Sequence, residues 1–346
     1  MKITDLARKN VLEMKAYSSA RDEFTETDKD FIFQDANENP FNSGYNRYPD
    51  PYASKLKSKL SELKGVPPEN MILGNGSDEV LDLLFRAFCE PKIDEIITTP
   101  PSYGMYKVLA QVNEIQLNEV PLSEDFQLDA QAIIEAISEN TKLIFLCSPN
   151  NPSGNLMNPQ AVKQILKNFK GLVILDEAYI DFAAQNSFVS ELNYFPNLVV
   201  LQTFSKAYAH AGIRLGMGFA QVEIIQLLHK IKPPYNINQL TQNKAMEVVA
   251  ASETYKNQAE MLISERELLR LELERISFVK KIFPSEANFL LVKVDNAILR
   301  YHQLIKKGIV VRNRTNEMHC DNCLRISIGT PRENQKLIKA LQELNS

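Results

Sequence analysis

A lysine with a hydroxyl beside it and a guanidinium beyond it forms the first group of residues whose types could do chemistry. The run LQTFSKAYAHAGIRLGMGF, residues 201–219, carries Lys206 directly after Ser205, and Arg214 follows a loop of small residues. A deprotonated amine can act as a nucleophile or a base, and a guanidinium with a hydroxyl can hold an anion. A lone lysine after a strand is more often a solvated surface group, so its interpretation depends on the residues that accompany it.

Polar residues also follow two other strand-like runs. LVILDEAYI places Asp176 at the end of one run with Tyr179 shortly after it, and CSPNNPSG carries Asn151 just before a proline. Taken singly, an aspartate at a strand end is commonly a cap, and Asn-Pro and Ser-Gly are ordinary turn pairs. Ligands of open α/β sheets bind beyond the carboxyl ends of the strands, however, and all these residues fall there.

The run LGNGSDE follows another strand and opens a helix. Small residues at Gly76, Ser77 and Asp78 let backbone N–H groups approach a phosphate at the positive end of that helix. The dinucleotide fingerprint fails here, because Glu79 holds the position of its third glycine. The stretch therefore predicts a phosphate site.

Together these residues meet the requirements of pyridoxal 5'-phosphate. That cofactor needs a lysine to hold its aldehyde, an acid to pair with its ring nitrogen and an anion-binding cup for its phosphate. Lys206 can supply the amine and Asp176 the acid, while Asn151 and Tyr179 can hydrogen-bond the phenolic oxygen. The predicted cup consists of Ser205, Arg214 and the turn Gly76–Asp78.

Length and charge limit the remaining possibilities. A chain of 346 residues exceeds the usual size of one core, so two domains around a cleft are expected. The net charge of −4, with both signs mixed, argues against nucleic-acid and membrane partners. The opening MKITDLARKN has no apolar signal segment, and no run approaches the roughly 18 apolar residues of a spanning helix. We expect a cytoplasmic protein.

The four cysteines fit a reducing compartment better than a disulfide framework. Cys320 and Cys323 form one CxxC preceded by His319, but a structural zinc site usually draws on two such pairs, and the sequence has no second one. We therefore expect a loop between two strands there and no metal. Cys89 and Cys147 lie in apolar segments and are predicted to be core residues.

The elements that must position these residues are visible between about residue 50 and 235. Apolar runs alternate with helix-like stretches there, which predicts an α/β fold with a mostly parallel sheet flanked by helices. The predicted strands are 71–73, 95–99, 142–147, 172–176, 198–203 and 216–220. A helix is predicted after Ser77 as N-cap, with its apolar face formed by Leu81, Leu84, Phe85 and Phe88.

Beyond Pro233 and Pro234 the pattern changes to that of a smaller α+β domain. A helical stretch over roughly 239–276 leads to the runs ANFLLVKV, GIVVRNR and LRISIGT and to a final helix. The first residues are polar and irregular and predict an arm that packs on the small domain or on a dimer partner. The expected units are an arm at 1–45, a large domain at 46–235 and a small domain at 236–346.

The run FSKAYAHAGIRLG resembles the lysine motif of fold-type I, aspartate-aminotransferase-like enzymes, and PNNPSG and DEAYIDF resemble two further hallmarks of that family. The closer resemblance is to the histidinol-phosphate aminotransferase family. It covers nearly the whole chain, through RKNVLEMKAYSSAR, DANENPF, NRYPDP, LGNGSDE and LRISIGT. It implies a class II, fold-type I pyridoxal-phosphate transferase of histidine biosynthesis. The implied reaction exchanges an amino group between L-histidinol phosphate and 2-oxoglutarate, with glutamate as the other amino donor and with ping-pong kinetics.

The resemblance also implies roles that the pattern alone does not assign. Tyr103 would stack on the cofactor ring, and Tyr48 would cross a homodimer interface to the partner's cofactor phosphate. Tyr17 and Asn37 would contact substrate, although Tyr17 could instead only pack a loose arm. Arg325 would bind the carboxylate of glutamate and the phosphate of histidinol phosphate alike.

A second arginine is expected to help with the phosphate. The resemblance assigns Arg312, but strand alternation puts Arg314 on the same face, so periodicity cannot choose between them. Lys206, with Asp176 and Tyr179 around the cofactor, would be the catalytic base and acid.

Three alternatives share parts of this pattern. A lyase resembling threonine-phosphate decarboxylase would use the same Lys206, Asp176 and Asn151 and a phosphate pocket. An aromatic aminotransferase would differ only in its amino donor. A regulator that binds the cofactor without turnover would need a DNA-binding module, for which the chain has neither a basic segment nor spare length.

Overall fold

The computed structural model describes residues 3–19 and 31–344. Residues 20–30 of the predicted arm, and with them the last two residues of the motif RKNVLEMKAYSSAR, lie outside the described residues. The described chain contains one large sheet and one small sheet, with helices packed on both.

The large sheet has seven strands in the order β1-β7-β6-β5-β4-β2-β3. Strand β7 runs antiparallel to both of its neighbours and all other neighbouring pairs are parallel, so the predicted mostly parallel sheet is confirmed. The strands are β1 Met71–Asn75, β2 Glu95–Thr98, β3 Gln116–Glu119, β4 Thr141–Cys147, β5 Leu172–Asp176, β6 Leu198–Thr203 and β7 Leu215–Phe219. Sequence inspection missed β3, because QLNE is polar and lies at the edge of the sheet.

Helices flank this sheet and bury both of its faces. Alternate strand residues enter two separate apolar clusters, so that Ile144 and Leu146 lie in one and Leu143 and Phe145 in the other. Each such side chain, once fully buried, stabilises the fold by about 1.5–3 kcal/mol. The helices are α1 Lys9–Glu13, α2 Ser54–Lys64, α3 Ser77–Phe88, α4 Met105–Val112, α5 Ala130–Glu135, α6 Pro159–Asn168 and α7 Val222–Ile231.

Helix α3 follows the prediction on its apolar face but not at its start. Leu81, Leu84, Phe85 and Phe88 are all buried. The prediction of Ser77 as N-cap is wrong, because the helix begins at Ser77 and Gly76 occupies the cap position with φ of 76°. A left-handed backbone favours glycine there. The Ser77 hydroxyl is therefore not used as a cap.

The small sheet is antiparallel, with the order β10-β11-β9-β8. Its strands are β8 Val279–Ile282, β9 Phe289–Val294, β10 Arg312–Asn313 and β11 Cys323–Ser327. The remaining helices are α8 Gln239–Ala250, α9 Ser252–Leu273, α10 Ala297–Lys306 and α11 Pro331–Glu343. The single helical stretch predicted over 239–276 is thus two helices, with Ala251 between them.

The start of the predicted arm contacts the helical layer of the large sheet. Ile3 and Val11 belong to its apolar cluster, and Arg8 pairs with Glu90 at 3.1 Å. The ammonium of Lys230 donates to the carbonyl of Val11 at 2.9 Å. The apolar side chains of these residues are buried on the large sheet's layer, and packing of the arm on the small domain or on a dimer partner stays a prediction.

The four cysteines are free and buried, and Cys89 and Cys147 are core residues as predicted. Cys320 lies in the loop before β11 and Cys323 is the first residue of that strand. Within residues 3–19 and 31–344, no group of three or more His, Cys, Asp or Glu side chains is placed to hold a metal ion. Over the same residues, no helix combines the length and apolar character needed to cross a membrane.

Candidate active site

Four strands of the large sheet bring their polar ends to one edge. Strands β1, β4, β5 and β6 end there, and β7, which runs the other way, begins there. Ten predicted residues line a single cavity at this edge: Gly76, Ser77, Asp78, Tyr103, Asn151, Asp176, Tyr179, Ser205, Lys206 and Arg214. The rule that ligands bind beyond the carboxyl ends of the strands accounts for this convergence.

Asp176 is the buried carboxylate of the cavity, with 3% of its surface exposed. It accepts hydrogen bonds from the hydroxyl of Tyr106 at 2.9 Å and from the backbone N–H of Ala178 at 3.1 Å. Burial raises the pKa of Asp176 to about 6, against the opposing effect of the Tyr106 hydrogen bond. Among the described ion pairs none involves Asp176, so a cation in the cavity would find a desolvated anion there.

Lys206 follows β6 and is half-buried. Its ammonium lies 5.4 Å from the centre of the Tyr179 ring. Burial, and then the positive charge of Arg325, lower the pKa of Lys206 below its usual range. Both effects favour the neutral amine, which is the nucleophilic and basic form.

A small cationic recess lies where β1 and β7 meet. The N–H of Gly76 donates to the carbonyl of Arg214 at 2.8 Å, which joins the start of α3 to the start of β7. A Cβ at residue 76 would lie 2.7 Å from Nη2 of Arg214, so only glycine lets the guanidinium sit against the helix end. Arg214 lies 3.5 Å from Asp78, and the first N–H groups of α3 have no partner inside the helix. This recess can bind an anion.

Two polar contacts cross the cavity. The hydroxyl of Tyr103 donates to Asp78 at 3.0 Å, which fixes the aromatic ring at the wall of the cavity. The guanidinium of Arg325 donates to the side-chain oxygen of Asn151. Arg325 belongs to β11 of the small sheet, so this contact brings the small sheet to the cavity.

The three arginines in and next to β10 and β11 have different surroundings. Arg312 is exposed and lies directly opposite Arg325 in the antiparallel register. Arg314 is half-buried and pairs with Glu317 at 2.7 Å. Burial, then Arg314 and further down Arg312, lower the pKa of Arg325, so both neighbours add positive charge near it. The choice between Arg312 and Arg314 as second anion contact stays a prediction.

Five predicted residues do not line the cavity of their own chain, namely Arg312 and Arg325, described above, and Tyr17, Asn37 and Tyr48. Tyr17 is 73% exposed, and Asn37 is exposed with φ of 55°. Tyr48 is 50% exposed and stacks on Tyr235 at 4.5 Å between ring centres, in a separate groove with Tyr45 and Leu240.

Sequence reasoning missed three side chains that carry a hydroxyl or thiol group at this site. Thr203 and Cys147 line the cavity, and Tyr106 contacts Asp176 from behind. Thr203 and Cys147 end β6 and β4, so the strand-end rule that selected Asp176 could have selected them as well. Tyr106 lies three residues after Tyr103 on the first turn of α4, and no feature of PPSYGMY signals its partner.

The residues present fit pyridoxal phosphate. The cavity combines an amine with a lowered pKa, a buried carboxylate, an aromatic ring and an arginine beside a helix N-terminus. These match the aldehyde, the ring nitrogen, the ring face and the phosphate of the cofactor.

The model of the family "Aminotransferase class I and II" matches residues 25–341 of this chain. The chain therefore belongs to the class I and II aminotransferases. Within that class it is 55% identical to the histidinol-phosphate aminotransferase of Christiangramia forsetii, over 99% of this chain and 98% of that protein.

Two solved structures share the fold. The histidinol-phosphate aminotransferase of Clostridium acetobutylicum is 27% identical with a TM-score of 0.80, and the match covers 87% of this chain and 91% of that one. The histidinol-phosphate aminotransferase of Sinorhizobium meliloti, in complex with pyridoxal-5'-phosphate, is 25% identical with a TM-score of 0.80, over 86% of this chain and 83% of that one. The fold is therefore that of the fold-type I transferases, as expected.

Proposed function

We propose that this protein is a pyridoxal-phosphate-dependent aminotransferase that exchanges an amino group between L-histidinol phosphate and 2-oxoglutarate, in histidine biosynthesis. The observation that carries the proposal is the cavity that unites Lys206, Asp176 and Arg214, in a chain that is 55% identical to a histidinol-phosphate aminotransferase over nearly its whole length. When bound, the cofactor supplies the aldehyde that receives the amino group and the ring that accepts the electrons of the broken Cα–H bond.

The cofactor's three polar parts each have a residue to hold them. Lys206 would bind the aldehyde carbon, and Asp176 would keep the ring nitrogen protonated through an ion pair in a desolvated site. The phosphate would be bound by Ser205, Arg214 and the N–H groups at the start of α3, from Gly76 to Asp78.

Lys206 would also do the proton chemistry. With substrate bound in its place, its free amine would lie beside the substrate's Cα, where it would take up the Cα proton as a general base and give it up again as a general acid. The lowered pKa of Lys206 suits both roles, because the amine must lose and regain a proton near neutral pH. Asn151 and Tyr179 line the same cavity and would hydrogen-bond the phenolic oxygen, while Tyr103 would stack on the ring.

Substrate choice would depend on two arginines. Arg325 contacts Asn151 at the cavity and would meet the phosphate of histidinol phosphate and the carboxylate of glutamate. Arg312 lies opposite it across the strand pair and would add the second positive charge that a phosphate dianion requires. Tyr17 and Asn37 would complete the substrate contacts from the arm.

We further propose a homodimer in which Tyr48 reaches the cofactor phosphate of the partner subunit. Tyr48 lies outside the cavity of its own chain, and the exposed apolar side chains of Tyr45 and Leu240 line its groove. Apolar groups clustered in this way at the surface favour a protein interface.

The division into an arm at 1–45, a large domain at 46–235 and a small domain at 236–346 is also a proposal, supported by the separate apolar core of the small sheet. A cytoplasmic location is proposed as well, because all four cysteines are free.

An amino-donor panel tests the activity. Purified protein with pyridoxal phosphate should form glutamate from 2-oxoglutarate with histidinol phosphate as donor, and much less with phenylalanine or tyrosine. A stronger response to the aromatic amino acids would indicate an aromatic aminotransferase. Carbon dioxide released from threonine phosphate, without any glutamate, would indicate the lyase.

A further inference from the structure

The carboxylate of Asp176 is held by a side chain from outside the cavity. Tyr106 is 1% exposed, and its hydroxyl donates to Asp176 at 2.9 Å. It does not line the cavity and belongs to α4, which follows β2. None of the roles proposed above for the reaction uses this residue.

The ring of Tyr106 is fixed on two sides. It stacks on Phe145 of β4 with ring centres 5.0 Å apart, and Tyr103 meets it edge-on at 5.6 Å. Phe145 in turn stacks on Phe85 of α3 at 5.2 Å. Because aromatic rings packed in this way have one orientation, the hydroxyl has one position, and that position is at Asp176.

The hydroxyl can only act as a donor in this place. Burial and the neighbouring Asp176 raise the pKa of Tyr106 well above its usual value, so it keeps its proton throughout the working range of an enzyme. A hydrogen bond donated to a carboxylate favours the ionised form and fixes the direction of its lone pairs. The N–H of Ala178 holds the other oxygen at 3.1 Å.

We propose that Tyr106 is a positioning residue for the reaction, whose hydroxyl holds the Asp176 carboxylate as an oriented anion toward the cofactor's ring nitrogen. The inference rests on the proposed function, since it requires Asp176 to be the partner of that nitrogen. It predicts that loss of the hydroxyl weakens recognition of the nitrogen specifically, and leaves recognition of the phosphate and the aldehyde unchanged.

The test compares two ligands that differ only at the ring nitrogen. One is pyridoxal phosphate and the other is its analogue with a C–H in place of the nitrogen, and equilibrium dialysis gives a dissociation constant for each. The ratio of the two constants measures the preference for nitrogen. Tyr106→Phe keeps the ring and removes the hydroxyl, and should reduce that preference by about tenfold, the low end for a hydrogen bond to a charged group.

Three further variants make the result decisive. Tyr106→Met removes the hydroxyl with a different packing group and should reduce the ratio similarly, which covers the case in which the Phe variant does not fold. Tyr208→Phe removes the hydroxyl of another buried tyrosine, one that does not line the cavity, and should leave the ratio at its wild-type value. Asp176→Asn should abolish the preference.

The variants distinguish a failure of the Tyr106 inference from a failure of the role proposed for Asp176. If Asp176→Asn abolishes the preference and the Tyr106 variants keep it, or raise both constants equally, Tyr106 serves only the packing of the core and the inference is wrong. If Asp176→Asn itself keeps the wild-type preference, Asp176 does not recognise the nitrogen, and the assignment in the proposed function fails first.

Discussion

Two residues of the cavity owe their reactivity to desolvation. Burial moves the pKa of Asp176 up to about 6 and the pKa of Lys206 down from its usual range. The two shifts have opposite directions because burial disfavours the charged form of each group. The cavity thus contains an anion that would gain from a cationic partner and an amine that loses its proton easily.

Lys206 should be the lysine that binds the cofactor. Borohydride reduction of the protein with bound pyridoxal phosphate, followed by peptide mass spectrometry, should place the label on the peptide that contains Lys206. Lys206→Ala should still bind the cofactor loosely and lose transamination by many orders of magnitude, because it loses both the attachment point and the base. A label on any other lysine would contradict the assignment.

Asp176 should make the free energy of unfolding of the cofactor-free protein depend on pH. Its folded-state pKa of about 6 lies above the ordinary 3.8, so the folded state binds the proton more tightly and stability falls as pH rises through this window. Between pH 5 and pH 8 the loss should be about 1.4 kcal/mol. Urea unfolding should show this loss in the wild type.

Asp176→Asn is the matched variant, because it keeps the shape and cannot ionise. Its free energy of unfolding should lack this part of the pH dependence, whatever constant offset the substitution adds. Equal pH dependence in the two proteins would mean that Asp176 is not desolvated. Burial also raises the pKa of Glu177, to about 7. Both proteins contain Glu177, so its contribution to the pH dependence of stability cancels in the comparison.

The site residues that could be predicted from the sequence are those that lie at or just after the end of a predicted strand. Lys206, Asp176 and Asn151 follow apolar runs, and parallel strands bring such ends together. Tyr106 could not be found in this way, because its contact with Asp176 depends on how α4 packs over β4. Side-chain packing between distant segments leaves no local pattern.

At the scale of elements, long apolar strands were predictable and short polar ones were not. Strands β4, β5 and β6 are buried along their length, whereas the edge strands β3 and β8, with the sequences QLNE and VKKI, carry little apolar signal. The helix break at Ala251 was also missed, since neither glycine nor proline marks it. The pairing of β10 with β11 matters most for function, because it sets Arg312 opposite Arg325.

The two arginines of this strand pair should differ in which substrate they affect. Arg325→Leu should damage the half-reactions of histidinol phosphate and glutamate alike, because one guanidinium meets both anions. Arg312→Leu should damage the histidinol phosphate half-reaction more, since the doubly charged phosphate needs the second cation. Losing one charge-assisted contact costs about 1.5–3 kcal/mol, so kcat/KM should fall roughly ten- to a few-hundred-fold.

Single-turnover absorbance changes of the bound cofactor measure the two half-reactions separately. Arg314→Leu is the control, because its guanidinium is engaged with Glu317 at 2.7 Å and its loss should lower stability without selecting between substrates. A phosphate-selective loss in Arg314→Leu, or an equal loss of both half-reactions in Arg312→Leu, would reverse the assignment of these two arginines.

At the scale of the whole molecule, each site draws on both sheets. The large sheet supplies the cavity, and the small sheet supplies Arg325, which contacts Asn151. Tyr48 lies in neither place, because it sits in a surface groove stacked on Tyr235. Exposed apolar groups clustered in this way mark surfaces that a partner chain covers, which is the reason for proposing a composite site.

Mixed dimers test whether Tyr48 crosses the interface. Tyr48→Phe and Lys206→Ala subunits, each tested alone for strong impairment, are mixed and allowed to exchange. In a mixed dimer one site takes Lys206 from the Tyr48→Phe subunit and Tyr48 from the Lys206→Ala subunit, so that site is native in both groups. Random pairing makes about half of the dimers mixed, and each mixed dimer has one native site out of two. About a quarter of all sites are therefore native, so the mixture should regain about a quarter of the activity of the same amount of wild-type protein.

The control for this experiment is a mixture in which both defects lie on one subunit. Wild-type subunits mixed with the double variant Tyr48→Phe, Lys206→Ala give mixed dimers in which each site lacks one group, so activity should come from wild-type dimers alone. Subunit exchange is verified by native mass spectrometry of differently tagged chains. If both single variants are impaired and exchange is complete, a mixture that stays inactive means that Tyr48 acts within its own chain or not at all. Recovery can arise only if the tyrosine of one subunit serves the lysine of the other.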